Sequence, residues 1–88
     1  MKILKFGAEW CAACKALEPI ITDLITQNLD HEFISIDVDD PDSSEITQQY
    51  KIKSIPTTIF ANRRDEELFR FTGVKKNNQI QEYIDELS

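Results

Sequence analysis

The residues best suited to do chemistry are Cys11 and Cys14, the two cysteines of an 88-residue chain, held three apart in the stretch EWCAACKALEP (Glu9–Pro19). A pair at that spacing admits three readings: a dithiol that exchanges with disulfides, half of a metal site, or a local structural bridge. A tetrahedral metal site needs two further ligands, and the one other strong nitrogen donor, His31, falls at the far end of the helix that follows the cysteines. A bridge closing so short a loop removes little entropy from the unfolded chain. Exchange needs a thiol with a useful thiolate fraction at neutral pH and a second thiol behind it, so the flanking elements decide the matter.

The apolar run KILKFGA (Lys2–Ala8) predicts a buried strand. From Cys11 the pattern changes, and Leu17, Ile20, Ile21, Leu24 and Ile25 recur at helical spacing to about Asn28. Pro19 lies inside that helix and predicts a kink, because proline lacks an N–H and crowds the preceding turn. Cys11 is thus expected where the strand ends and the helix begins. Unpaired backbone N–H groups and the helix dipole favour a thiolate there. Cys14, one turn further in, faces the same side and is more buried, which suits it to attack a mixed disulfide formed at Cys11.

EFISIDV (Glu32–Val38) reads as a second strand, and DDPDSSEITQQY starts a short helix with Asp42, Ser43 or Ser44 as cap. TTIFA (Thr57–Ala61), NRRDE and ELFRFT (Glu67–Thr72) form a hairpin with a polar turn. Gly73 breaks the strand, and Ile80, Tyr83, Ile84 and Leu87 give a closing helix. The order βαβαββα predicts an α/β architecture: one domain over residues 1–88, a four-stranded mixed sheet with helices on both faces.

Composition narrows the function classes. A net charge of -6 argues against a nucleic-acid partner, whose phosphates would need Lys and Arg. No apolar run approaches the roughly 20 residues that cross a bilayer, so no membrane partner is expected. MKILKFGAEW turns polar too early for a signal peptide, which predicts a cytoplasmic protein. The acidic run with Asp37, Asp39, Asp40 and Asp42 lacks the glycine and glutamate of an EF-hand loop, Gln48 standing at the twelfth position. It reads as a strand end and helix cap, and no metal is expected.

Four segments give the chain a resemblance to the thioredoxin family from about Ile3 to Leu87: AEWCAAC, Pro19 five residues after Cys14, SIPT (Ser54–Thr57), and Gly73 between the last strand and helix. The resemblance implies a minimal thioredoxin fold without the family's extra N-terminal strand and helix. It implies Cys11 as nucleophile and Cys14 as resolving cysteine, with Trp10 beside them presenting a surface to substrate. It implies a cis bond at Ile55–Pro56, with Pro56 against the cysteines and the Ile55 backbone pairing with a substrate strand. Gly73 joins these as a substrate-binding residue.

Two departures stand out. The dipeptide between the cysteines is Ala12-Ala13 rather than the Gly-Pro of typical thioredoxins, so no redox potential carries over. Lys5 stands where most of the family has a buried aspartate, and the lysine often opposite it falls near Ser35. A charged, inward Lys5 would favour the thiolates and make the protein more oxidising than a standard thioredoxin. Lys15, after the second cysteine, is a second candidate for tuning the thiol pKa.

The function implied is a small thiol–disulfide oxidoreductase, monomeric and without a cofactor. It would reduce protein disulfides, ribonucleotide reductase among them, and be recycled by a thioredoxin reductase. A glutaredoxin-like, glutathione-dependent enzyme is one alternative, though no Gly-Gly or Cys-Asp-Asp pattern follows the hairpin. A non-catalytic binding module on the same fold is the other.

Overall fold

The computed structural model describes residues 1–88. The seven elements anticipated from the sequence form in that order: β1 (Lys2–Gly7), α1 (Ala12–Gln27), β2 (Glu32–Asp37), α2 (Ser44–Gln49), β3 (Thr57–Ala61), β4 (Glu67–Thr72) and α3 (Asn77–Leu87), with a 3-10 turn at Pro41–Ser43 before α2. The sheet runs β2-β1-β3-β4, with β1 parallel to β2 and antiparallel to β3, and β4 antiparallel to β3. α1 is therefore the crossover that returns the chain for a parallel pairing.

Placing β1 in the middle buries both its faces, and side chains alternate between them. Ile3 joins Leu17, Ile21 and Leu24 of α1, Phe60 and Phe71 of the hairpin, and Ile80 and Ile84 of α3. Leu4 and Phe6 join Ile36, Tyr50 and Ile59 on the opposite face, where α2 packs through Ile46. Fully burying each large apolar side chain contributes roughly 1.5–3 kcal/mol. Leu17, at 0% exposure, is a site where truncation to alanine costs about 2–5 kcal/mol. Lys5 lies between Ile3 and Gly7 in the alternation, which sends its side chain to the α1 face.

One local detail differs from expectation. The turn before α2 is capped by Asp40, whose carboxylate accepts from the Asp42 N–H, rather than by Asp42, Ser43 or Ser44. Pro41 at the first helical position fixes the start one residue after Asp40. Ser43, one of the expected caps, is the N-cap residue of α2 itself, though its side chain makes no cap bond. α1 runs through Pro19 as one element. The hairpin turn is held by Asn62, whose side-chain oxygen accepts from the Arg64 and Glu66 N–H groups, with Asp65 at φ 63°. No helix is long and apolar enough to cross a membrane.

Candidate functional site

The two thiols meet because β1 delivers the chain directly to the start of α1. Cys11 is the N-cap of α1, with extended backbone, and its Sγ accepts the Cys14 N–H at 3.2 Å. A side-chain acceptor at the N-cap satisfies an N–H that has no partner inside the helix. In most helices that acceptor is a serine or aspartate oxygen, and here it is a sulfur. Both cysteines are free and buried, Cys14 more deeply at 3% against 8% for Cys11.

Their acidities are pushed apart. The hydrogen bond from the Cys14 side chain holds the Cys11 thiol below its ordinary value, helped by the Cys14 and Ala13 backbone N–H groups and the Lys5 charge, against some burial cost. Burial pushes the Cys14 thiol up, reinforced by its bond to Cys11, while the Ala8 backbone and Lys5 partly offset this. Such a pair keeps a nucleophilic thiolate at Cys11 and a protonated thiol in reserve at Cys14.

Lys5 points to the cysteine side of the sheet. Its side chain is 9% exposed, and its one carboxylate neighbour is Glu18 Oε1 at 3.8 Å. Lys5, Gly7 and Cys14 together line a cleft of ≈ 550 Å³ between β1, β2 and α1. Gly7 is required by packing: a Cβ there would lie 3.1 Å from Cys14 Sγ and 3.3 Å from Cys14 Cβ. The expected lysine position opposite Lys5 is Ser35, its register partner on β2.

The other residues named from the sequence gather near Cys11. The Ile55–Pro56 bond is cis, Pro56 is buried, and Cys11 Sγ lies 4.0 Å from the Ile55 carbonyl oxygen. Ile55 also packs on the cluster of Ala8, Cys11 and Cys14. Gly73, at φ 79°, donates its N–H to the Pro56 carbonyl at 2.9 Å and so ties the end of β4 to that loop. Trp10 is 71% exposed, and its indole N–H donates to Asp39 Oδ2 at 2.6 Å. Lys15 is exposed and lines the same cleft.

Three residues of this neighbourhood carry no motif. Gly7 had a signal, since a glycine inside a strand marks a close approach of another group. Asp39, which holds Trp10, and Glu18, which faces Lys5, had none beyond being acidic. No three His, Cys, Asp or Glu side chains converge as a metal-ligand set. The acidic run instead bonds its own backbone, Asp37 accepting from the Asp39 N–H and Asp40 from that of Asp42.

Comparison with known proteins supports the fold. The thioredoxin family model matches residues 1–86. A thioredoxin of Mycoplasmoides gallisepticum is 41% identical over 58 residues, 66% of this chain and 56% of that protein. Thioredoxin H5 of rice, Oryza sativa subsp. japonica, is 33% identical over 86 residues, 98% of this chain and 61% of that protein. The chain thus spans between about half and three-fifths of the length of these relatives. Among solved structures, the germline-specific thioredoxin Deadhead of Drosophila melanogaster superposes with a TM-score of 0.86 at 28% identity, covering 99% of this chain and 80% of that one.

Proposed function

The chain belongs to the thioredoxin family, and from that premise we propose that it is a small thiol–disulfide oxidoreductase that reduces protein disulfides through Cys11 and Cys14. The observation that carries the reading is the sulfur at the N-cap of α1, where the Cys14 N–H and side chain favour a thiolate at Cys11. In the first step the Cys11 thiolate attacks one sulfur of a substrate disulfide and expels the other as thiolate, which takes a proton from water. Cys14 then gives up its proton and attacks Cys11 Sγ. The second substrate thiolate leaves, and two electrons have passed from the Cys11–Cys14 dithiol to the substrate.

The carbonyl of Ile55 lies 4.0 Å from the attacking sulfur, and the exposed Trp10 precedes Cys11 in the chain, which suits them, with Pro56 and Gly73, to hold an extended substrate segment. Lys5, buried beside both thiols, favours their ionised forms and with them the reduced protein, so its potential is more oxidising than that of a thioredoxin with an aspartate there. Recycling by a flavin-dependent thioredoxin reductase, clients such as ribonucleotide reductase, a cytoplasmic location and a monomeric state complete the reading by family analogy.

The test is turnover of insulin disulfides. NADPH with thioredoxin reductase is expected to support it, whereas glutathione with glutathione reductase is not. The reverse pattern would establish the glutaredoxin-like alternative, and full biological activity of a Cys11→Ser, Cys14→Ser double variant would establish the binding module.

A further inference from the structure

The cleft on the α1 face touches one thiol and not the other. Its walls include Cys14, Gly7, Lys5 and Ser35, and Cys11 is not among its lining residues. It therefore offers a way to Cys14 that does not pass along Cys11. Displacement at a disulfide sulfur proceeds in line, the incoming thiolate opposite the leaving one. Where substrates meet Cys11 beside Ile55, this cleft reaches the second sulfur of the pair by another path.

Its chemistry is specific as well. Lys5 Nζ emerges from a side chain 91% buried, and its carboxylate neighbour, at 3.8 Å, is beyond hydrogen-bond reach. An ammonium that opens on the cleft with only this longer ion pair favours a ligand that brings a closer acceptor. The other charged groups facing the cleft are Lys15, Glu9, Glu18 and Asp37, all exposed. A carboxylate at depth and an ammonium at the rim would both be matched. The volume of ≈ 550 Å³ falls in the roughly 300–1,000 Å³ range of small-ligand pockets.

We propose that this cleft binds a zwitterionic amino-acid thiol, its carboxylate on Lys5, and admits its sulfur to Cys14 as a second entrance to the redox centre. The proposal rests on the dithiol reading above. In the oxidised protein the bound thiolate attacks Cys14 Sγ: a bond forms between the ligand sulfur and Cys14, the Cys11–Cys14 bond breaks, and Cys11 leaves as thiolate. A second molecule of the thiol then attacks the ligand sulfur, releasing the small disulfide and the Cys14 thiolate, which takes up a proton. Two thiols have been oxidised and one protein disulfide reduced. Expelling Cys11 is the easier direction, because the Cys14 and Ala13 backbone N–H groups that lower its pKa stay in place and stabilise the departing thiolate.

The probes are L-cysteine and cysteamine, which differ by the carboxylate. Reduction of the oxidised protein is followed under pseudo-first-order conditions, at equal thiolate concentration and at ionic strength high enough to screen the protein's net charge. Cysteine is expected to react faster than cysteamine by about tenfold, and the ratio to fall to about one in Lys5→Met. Both probes attack the same sulfur, so the ratio is insensitive to what Lys5 does to the thiols themselves. Ser35→Tyr, which fills the mouth from an exposed position on β2, is expected to slow cysteine while insulin reduction through Cys11 is kept. A wild-type ratio near one, a ratio retained in Lys5→Met, or a cysteine rate in Ser35→Tyr that is unchanged or falls only in step with insulin reduction overturns the proposal. Insulin reduction by the wild type reads the parent activity separately, so its absence would count against the dithiol reading rather than the cleft.

Discussion

The backbone N–H of Cys14 points at the Cys11 sulfur across 3.2 Å, so that the first turn of α1 is capped by the atom that does the chemistry. The bond is worth most when the sulfur is charged, because hydrogen bonds to ionised acceptors are the stronger ones. It links a local requirement of the helix to a redox property of the protein.

That linkage predicts how Cys11 titrates. The Cys14 side chain is the largest influence holding Cys11 down, ahead of the backbone N–H groups. Alkylation of Cys11 should inflect below the ordinary cysteine value in the wild type. In Cys14→Ala the inflection should move up, since the largest influence is gone and only the backbone donors and Lys5 stay to oppose burial. Iodoacetamide kinetics against pH make the measurement, and an unshifted inflection would show that the Cys14 thiol has no part in it.

Lys5 makes a second, smaller contribution to both thiols in the same direction. Lys5→Met removes a charge that favours the reduced, ionised pair. The Cys11 inflection should rise and the redox potential become more negative by up to about 30 mV, a tenfold change in the two-electron equilibrium. Equilibration against a glutathione or dithiothreitol couple reads the potential. No change in either quantity would mean that the Lys5 charge does not reach the sulfurs.

The two glycines should fail differently. Gly7→Ala sets a methyl against Cys14 at 3.1 Å from Sγ, so overpacking of about 1–3 kcal/mol should come with a loss of thiol reactivity. At Gly73 nothing lies within 4 Å of an added Cβ, and the cost is backbone strain at φ 79°, about 1–2 kcal/mol with Cys11 reactivity kept. Gly73→Asn should recover part of that loss, because asparagine tolerates the left-handed region. Urea unfolding and Cys11 alkylation together separate the two cases.

How far the sequence reaches is plain from these same residues. The strand and helix that build the centre are local patterns, a short apolar run followed by helical periodicity, and the structure reproduces them to within about a residue. Cys11 at the junction follows from the two ranges alone. Gly7, Glu18 and Asp39 were not legible in that way: their importance depends on which face of β1 meets α1 and on where the turn after β2 passes Trp10. The same holds for Lys5, whose direction follows from strand alternation but whose lone 3.8 Å carboxylate neighbour is a tertiary fact. The cap at Asp40 was missed because Pro41 starts the turn earlier than the apolar spacing suggests.

A surface pair sets the acid behaviour of the hairpin. Arg70 donates two hydrogen bonds to Glu67, at 2.7 and 2.6 Å, and a third to the Tyr50 carbonyl, and the guanidinium holds the Glu67 carboxyl below the usual range. With the folded value lower than the unfolded one, the stabilisation is complete above the unfolded carboxylate value of about 4.3 and is lost as pH falls through the folded value. Glu67→Gln should therefore reduce stability near neutral pH by about 0.2–1 kcal/mol and flatten the acid limb. Denaturant midpoints from neutral to acid pH check the sign, and an unaltered acid limb would rule this pair out as its source.

The central claim is that Cys11 attacks and Cys14 resolves, and the measurement that tests it most directly is trapping. In Cys14→Ser the resolving thiol is gone, so a mixed disulfide formed with a protein substrate has no internal route to release. Incubated with a disulfide-bonded protein such as insulin and analysed without reductant, this variant should accumulate a covalent adduct that peptide mapping places on Cys11. The wild type should release reduced product with Cys11 and Cys14 joined. Absence of an adduct in Cys14→Ser, under conditions where the wild type reduces the same substrate, would contradict the account.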